Sequence, residues 1–338
     1  MSETRSSAAL DDLDRRIVAA VQADPRASWS KLSAAVGVSE TTVLRRVGRM
    51  REANLLIVTA VPDPLRCGLG QPVHVYFRTA PTRGHELAAQ LADRPDVRYL
   101  SLLAGTHDVM CELIMPDKSD LERLVTTDLP GAGAVMTSST AVVLKQFKTE
   151  DQWSEPLLDP EPAVTSPDSA ASDGARRKRR RAEPLDEVDV RLIAALREDG
   201  RRSFADLSTD LGLSETAVAR RIAALRADAR IDFVAMVDPS ALGFELEVIM
   251  HVHVEPARLE ATAKAFAATR PVRYVAATTG VGDLTCDAVF RDADDLFTFT
   301  TETVGKMRGV HSVDTELVLK AVKRAYYYPL FGRPVEQA

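Results

Sequence analysis

VSETTVLRRVGRM, residues 38–50, returns as LSETAVARRIAAL, residues 213–225. The two segments stand at a constant offset of 175, and that offset extends far beyond them. It aligns Asp14 with Asp189, Gly37 with Gly212, Asp63-Pro64 with Asp238-Pro239, and Gly68 with Gly243. Further on it pairs Val97-Arg98-Tyr99 with Val272-Arg273-Tyr274, Gly105 with Gly280, Asp108 with Asp283, Cys111 with Cys286 and Lys145 with Lys320. Chance does not hold such a register without a gap over roughly 140 positions, so the chain is a tandem duplication. Its 338 residues also exceed what one hydrophobic core usually organises.

Each copy opens with a helical segment. In DLDRRIVAAVQAD, Leu13, Ile17, Ala20 and Val21 recur at spacings of three and four, which gives one apolar face. Asp11 or Asp12 can cap its start, and Pro25 in one copy or Gly200 in the other is expected to end it. SWSKLSAAV (28–36) reads as a short helix burying Trp29, Leu32 and Val36. Gly37 then allows a tight turn, Ser39 can cap, and 40–51 form a third helix with Val43, Val47 and Met50 on its buried stripe. Thr41, Thr42, Arg45, Arg46 and Arg49 are left facing outward.

A short helix, a glycine turn and a second helix with hydroxyls and then arginines on its outer face make a helix-turn-helix. Threonines at the helix start can bond phosphate or a base edge, aided by the positive end of the helix dipole. Arginine pairs bidentately with guanine or binds phosphate. The expected DNA-facing set is Ser39, Thr41, Thr42, Arg45, Arg46 and Arg49 in the first copy, with Ser214, Thr216, Arg220, Arg221 and Arg226 in the second. The alternative is an ordinary solvated helix face.

The second segment of each copy changes period. PVHVYFRTA, RYLSLLAG, VMCELIMP and VMTSSTAVVLKQF are β-branched, strand-like runs. RGHELAAQLAD and KSDLERLVTTDL are helical, so the order is β-α-β-β-α-β, a ferredoxin-like pattern. The expected class is α+β: a winged helix-turn-helix followed by a ferredoxin-like domain, the pair repeated twice. The boundaries are 8–60, 61–150, a linker at 151–184, 185–235 and 236–330. The linker is rich in Pro, Ser, Ala and Asp. Its RRKRRR run, 176–181, reads either as a solvated charge run or as a basic arm for DNA phosphates.

Leu10, Asp14, Ile17, Leu32, Gly37, Ser39, Thr41, Val43, Arg45 and Arg46, followed by Asp63-Pro64, Gly68, GTHD at 105–108 and VLK at 143–145, resemble the Lrp/AsnC transcriptional regulators. The resemblance covers both halves. It implies sequence-specific DNA binding, and an effector domain that associates through its sheet and takes a small molecule, often an amino acid, at a cleft between domains. Carried over, Gly105, Thr106, His107 and Asp108 would line one cleft, and Gly280, Val281, Gly282 and Asp283 another. His107 and Gly282 stand where many relatives carry an aromatic residue. The family also commonly places glycine after the recognition helix, in the left-handed conformation; here Asn54 and Ala229 occupy that place. The resemblance further implies association beyond one chain, as a homodimer or homotetramer.

The copies differ in ways that bear on DNA. Ala217 replaces Thr42, Ala219 replaces Leu44 and Ala224 replaces Arg49. Residues 10–60 carry a balance of +2 and residues 185–235 one of −2, so the first copy is expected to be the stronger reader of phosphate. The duplication predicts that one chain holds both halves of a pseudo-dimer, joined through the sheets, with two unequal readers suited to an asymmetric operator.

Other classes find less support. Net charge is −6, which disfavours blanket nucleic-acid affinity without bearing on local patches. No run of about 18 uncharged apolar residues exists to span a membrane. The first residues lack the apolar core of a secretory signal, so a cytoplasmic location is expected. Cys67, Cys111 and Cys286 show no CxxC spacing, and Cys111 and Cys286 read as buried hydrophobes. His251 and His253 lie two apart on a strand, half of a metal site with no evident acid or cysteine to complete it, so no metal or other cofactor is expected. Neither a nucleophile triad nor a phosphate-cradling loop is evident, and the chain is not expected to be an enzyme. The rival reading is an enzyme like the sirohaem decarboxylases, which resemble the same family and occur as paired or fused subunits.

Overall fold

The computed structural model describes residues 10–128, 134–149 and 185–324; the expected linker and its basic run lie outside them. The first copy opens with helices α1 (Asp12–Ala23), α2 (Trp29–Val36) and α3 (Glu40–Glu52). Asp11, Ser28 and Ser39 cap them, each side chain accepting from the backbone N–H three residues on. Gly37 closes α2 at φ 71°, the left-handed conformation that glycine adopts without a Cβ clash. Helix α1 ends at Ala23, with Asp24 already extended, rather than at Pro25. Leu32, Val36, Val43, Val47 and Met50 are buried as their spacing predicts, whereas Trp29 is only half-buried. The second copy repeats this as α6 (Glu187–Glu198), α7 (Phe204–Leu211) and α8 (Glu215–Ala227), capped by Asp186, Ser203 and Ser214.

The wing is shared between the copies. Strand β1 (Leu56–Pro62) pairs antiparallel with β6 (Ile231–Val237) of the other copy. Thr59 faces Val234, its own counterpart 175 residues on, so a pseudo-twofold axis passes through this ribbon. Packing crosses over as well. Ala235 and Val237 join the core of the first head, while Ala60 joins that of the second.

Strands β2 (Gln71–Thr79), β3 (Val97–Ala104), β4 (Val109–Met115) and β5 (Val135–Lys148) alternate with α4 (Gly84–Ala92) and α5 (Lys118–Arg123) in the expected β-α-β-β-α-β order. Strands β7 (Leu246–Val254), β8 (Val272–Thr278), β9 (Leu284–Phe290) and β10 (Val310–Lys323), with α9 (Leu259–Ala267) and α10 (Ala293–Thr298), repeat it. Within the first copy the sheet order is β3-β4-β2-β5, the ferredoxin-like arrangement. The sheets then join edge to edge. Val143 of β5 pairs with Thr278 of β8, and Val318 of β10 with Leu103 of β3, so one joint is made twice by equivalent residues. The result is a closed barrel in which, among the described residues, each of the eight strands is paired on both sides. Each copy packs its own helices on one sheet face, and the opposite faces meet inside the barrel around Tyr76, Leu103, Met110, Ala141 and Ile249. Among the described residues, no helix is long and apolar enough to cross a membrane.

Candidate nucleic-acid interface and effector cleft

On α3 the Ser39 hydroxyl receives the Thr42 backbone N–H at 3.3 Å and lies 3.0 and 2.9 Å from the Thr41 and Thr42 hydroxyls. Thr41 and Arg45 are exposed, and Thr42 is half-buried. Arg46 faces elsewhere. Its Nη1 donates to Asp11, the α1 cap, and to Asp14 at 2.9 Å. Those carboxylates hold the guanidinium above its ordinary pKa, the Asp11 hydrogen bond contributing most. Arg49 also donates to Asp14, although 58% of its side chain remains exposed. On α8, Ser214, Thr216, Arg220 and Arg226 are exposed. Arg221 repeats the brace of Arg46, donating to Asp186 and Asp189 at 2.7 Å each. Arg226 lies 5.9 Å from the Phe233 ring. Among the described residues Arg45 and Arg220 make no hydrogen bond or ion pair, whereas Arg46 and Arg221 brace each reading helix against the first helix of its own head.

The two heads are clamped together by arginines that the repeat pattern alone does not reveal. Arg26 donates to the carbonyls of Gly200 and Arg202, and its counterpart Arg201 donates to those of Pro25 and Ala27. Arg201 also stacks on Trp29, 4.1 Å from the ring centroid, which explains why Trp29 is not in the core. Gly200 is needed for close approach rather than as a helix stop. A Cβ there would meet the Thr59 backbone nitrogen at 2.8 Å. Arg51 pairs with Asp199 across the same seam at 2.8 Å.

In the effector domain of the first copy, Asp108 Oδ2 accepts the Thr79 N–H at 2.7 Å and its hydroxyl at 3.2 Å. A cleft of about 490 Å³ opens beside it, lined by Arg78, Thr79, His85, Leu102, Asp108 and Leu319. Of the residues 105–108, Asp108 is the one that reaches this cleft. Thr106 offers its carbonyl to Arg78 at 2.9 Å. Gly105 lies against Glu316, where an added Cβ would come within 3.0 Å of its Cγ. His107 is buried in the joint between copies. In the second copy Asp283 likewise accepts a backbone N–H, from Val254 at 2.8 Å. Gly280 (φ 85°) lies against the Thr140 carbonyl, Val281 packs into the barrel interior, and Gly282 backs onto His251.

The barrel interior holds polar groups that sequence reasoning did not connect. Glu112 meets Arg98 and lies 3.2 Å from His74 Nε2. Burial alone would raise this carboxyl, but the Arg98 charge and the His74 contact outweigh it and hold it at about 2. Opposite, Glu316 Oε1 lies 3.0 Å from His107 Nδ1 and accepts the His107 backbone N–H at 2.7 Å, while Oε2 lies 3.1 Å from His251 Nε2. His253, two residues along β7, is partly exposed and lies 3.8 Å from Asp314. The acid that completes a set around His251 thus comes from the neighbouring strand, and its second histidine from the other copy. No local spacing encodes that. Cys111 and Cys286 are fully buried, and burial pushes both thiols up.

Comparison with known proteins agrees with this architecture. The model of the AsnC-type helix-turn-helix domain matches residues 10–51 and 185–226, and that of the Lrp/AsnC ligand binding domain matches 73–153 and 247–328. An uncharacterised HTH-type transcriptional regulator of Pyrococcus furiosus is 30% identical over 148 residues, 44% of this chain and 99% of the relative. An HTH-type transcriptional regulator of Methanocaldococcus jannaschii is 29% identical over 147 residues, 43% of this chain and 99% of its own. Each relative therefore corresponds to one copy. Among solved structures, the siroheme decarboxylase NirDL aligns over 93% of both chains with a TM-score of 0.60 and 14% identity, a likeness of fold alone.

Proposed function

This chain belongs to the Lrp/AsnC family of helix-turn-helix transcriptional regulators, and from that premise we propose that it is a cytoplasmic, sequence-specific regulator with two unequal reading heads. The relatives named as transcriptional regulators support a DNA-binding regulator over an enzyme. The finer reading is that Thr41 and Arg45 touch bases and phosphates from α3, with Ser39, Thr42 and Arg49 at the edge of that contact. Thr216 and Arg220 do the same from α8, with Ser214 and Arg226 flanking them. Arg46 and Arg221 support the reading helices, being already engaged by aspartates. The observation that carries this reading is the Arg26–Arg201 clamp. It holds two non-identical helices at one fixed separation, which suits one asymmetric pair of half-sites.

The effector domains take a small metabolite, an amino acid or a related compound, in the cleft beside Asp108. Arg78 offers a cation and Asp108 a carboxylate there. Chains associate further into a homodimer or homotetramer. The test is binding of the full chain to its own upstream DNA across a salt series, wild type beside Arg45→Ala and Arg220→Ala. Salt-sensitive, sequence-selective binding that depends more on Arg45 than on Arg220 is the expected result. Equal dependence on both would overturn the unequal heads. Absence of any preferred DNA would overturn the regulator's finer reading.

A further inference from the structure

The buried joint between the two effector domains contains more chemistry than packing requires. His107 arrives on the β3–β4 loop of the first copy, while His251 and Glu316 come from β7 and β10 of the second. All three are buried, Glu316 and His251 to within 1%. One donor atom from each lies within 4.8 Å of the others. Tyr76 closes one side, its ring 4.8 Å from that of His251 and 5.2 Å from that of His107.

The arrangement is also one-sided. By the repeat offset the counterpart of His107 is Gly282, that of His251 is Tyr76, and that of Glu316 is Ala141. His251 and Tyr76 are therefore equivalent residues meeting beside the pseudo-twofold axis, one as imidazole and one as phenol. The two copies have diverged so that a single donor set is assembled. Two glycines make room for it. Gly105 admits the Glu316 side chain, and Gly282 admits His251 at a distance where an added Cβ would lie 3.2 Å away.

We propose that His107, His251 and Glu316 bind one divalent transition-metal ion of the zinc class, with ligands donated by both copies. Two imidazoles and one carboxylate suit such an ion, whose bonds of roughly 2.0–2.2 Å place tetrahedral donors roughly 3.3 Å apart. Each imidazole already stands near that spacing from one carboxylate oxygen, His107 Nδ1 from Oε1 at 3.0 Å and His251 Nε2 from Oε2 at 3.1 Å. The three residues must close on one ion from donor atoms already within 4.8 Å of one another. Each neutral imidazole would take the ion on the nitrogen that now faces Glu316, its ring proton moving to the far nitrogen. The fourth position is left for water. Because the ligands span both copies, the ion would fasten the joint that closes the barrel, whatever DNA the heads read.

The test uses the full chain after chelator treatment, titrated with Co²⁺ and followed by visible absorption, then challenged with Zn²⁺. The expected result is one Co²⁺ per chain with the intense bands of a tetrahedral site, displaced by Zn²⁺, and a rise in Tm on adding Zn²⁺. His107→Ala and Glu316→Gln should each weaken Co²⁺ binding by more than about 100-fold, the upper figure for loss of a mere outer-sphere partner. His253→Ala, which removes a partly exposed imidazole nearby, should leave it unchanged. Wild type that takes up no stoichiometric Co²⁺ overturns the proposal. So does uptake that survives in His107→Ala or is lost in His253→Ala, either of which identifies surface binding. Circular dichroism of the metal-free variants shows that they fold, and if Glu316→Gln does not, His107→Ala and the wild-type stoichiometry still decide.

Discussion

The two reading heads share a fold, a capping pattern and a brace, yet the brace is built to different depths. In the first head Asp14, 1% exposed, is held by both Arg46 and Arg49. In the second, Asp189 has a side chain 15% exposed and is held by Arg221. The position equivalent to Arg49 is Ala224. An arginine absent from one copy thus reads at first as a lost DNA contact, and the structure gives it a second role, neutralising a buried carboxylate. The comparison separates two kinds of outward-looking arginine. Arg45 and Arg220 point away from their heads, while Arg46 and Arg221 point back into them.

The comparison breaks most visibly at the aspartates. Asp14→Ala strips Arg49 of its carboxylate and Arg46 of one of its two, and removes one of the two α1 first-turn carboxylates; it should cost about 3 kcal/mol of stability, near the low end for breaking a buried pair. Asp189→Ala should cost roughly half as much, since this carboxylate is itself more exposed and is held by one arginine rather than two. Thermal unfolding of the two variants checks this; equal losses would show that Arg49 adds nothing.

The effector domains offer an acid-side comparison. Glu112 is held at about 2 against an ordinary 4.5. A depressed carboxyl stabilises the fold fully above its unfolded value, and that contribution fades as pH falls from about 4.5 towards 2. Fully buried, it is worth roughly 3 kcal/mol at most. Glu112→Gln should therefore be less stable than wild type at neutral pH, with the gap narrowing on acidification. Tm measured from pH 6 to pH 2.5 decides; a gap independent of pH would mean that the carboxyl is not ionised in the folded chain.

DNA affinity sharpens the distinction between the two kinds of arginine. Arg45→Ala should lose about 1–3 kcal/mol of specific binding, the range for a well-formed base contact. Arg220→Ala should lose less. Arg46→Ala should lower Tm before it changes the salt slope, because its guanidinium is committed to Asp11 and Asp14. Electrophoretic or fluorescence titration at two salt concentrations separates these outcomes.

Much of this fold can be read from one-dimensional periodicity. The 175-residue offset, the serine and aspartate caps, the Val43–Val47–Met50 stripe and the β-α-β-β-α-β alternation all depend on neighbours within a few residues, so spacing carries them. What spacing does not carry is the partner across the pseudo-twofold axis. Arg26 and Arg201 look like ordinary solvated arginines until the heads are docked, and His107, His251 and Glu316 come from elements up to 209 residues apart. Arg46 was the nearest miss. Asp14 and Arg46 recur together as Asp189 and Arg221, and a charge pair preserved in both copies, where other outward residues drifted, is the signal that could have identified a brace.

The smallest expected effect concerns the turn that ends each reading helix. Asn54 has φ 54° and Ala229 has φ 51°, so both copies make the same left-handed turn despite lacking glycine. In each, the next residue's N–H returns to the helix, Leu55 to the Met50 carbonyl and Arg230 to that of Leu225, both at 2.8 Å. That shared bond holds the turn even where alanine's Cβ crowds it. Left-handed backbone costs an ordinary L-residue roughly 1–2 kcal/mol and asparagine less. Ala229→Gly should therefore stabilise the second head by about 1 kcal/mol, net of glycine's greater freedom when unfolded, while Asn54→Gly should change little. Chemical denaturation of both variants reads the difference directly. A gain at residue 229 with none at 54 places the strain in the second copy, and equal responses would mean that the alanine is accommodated as easily as the asparagine.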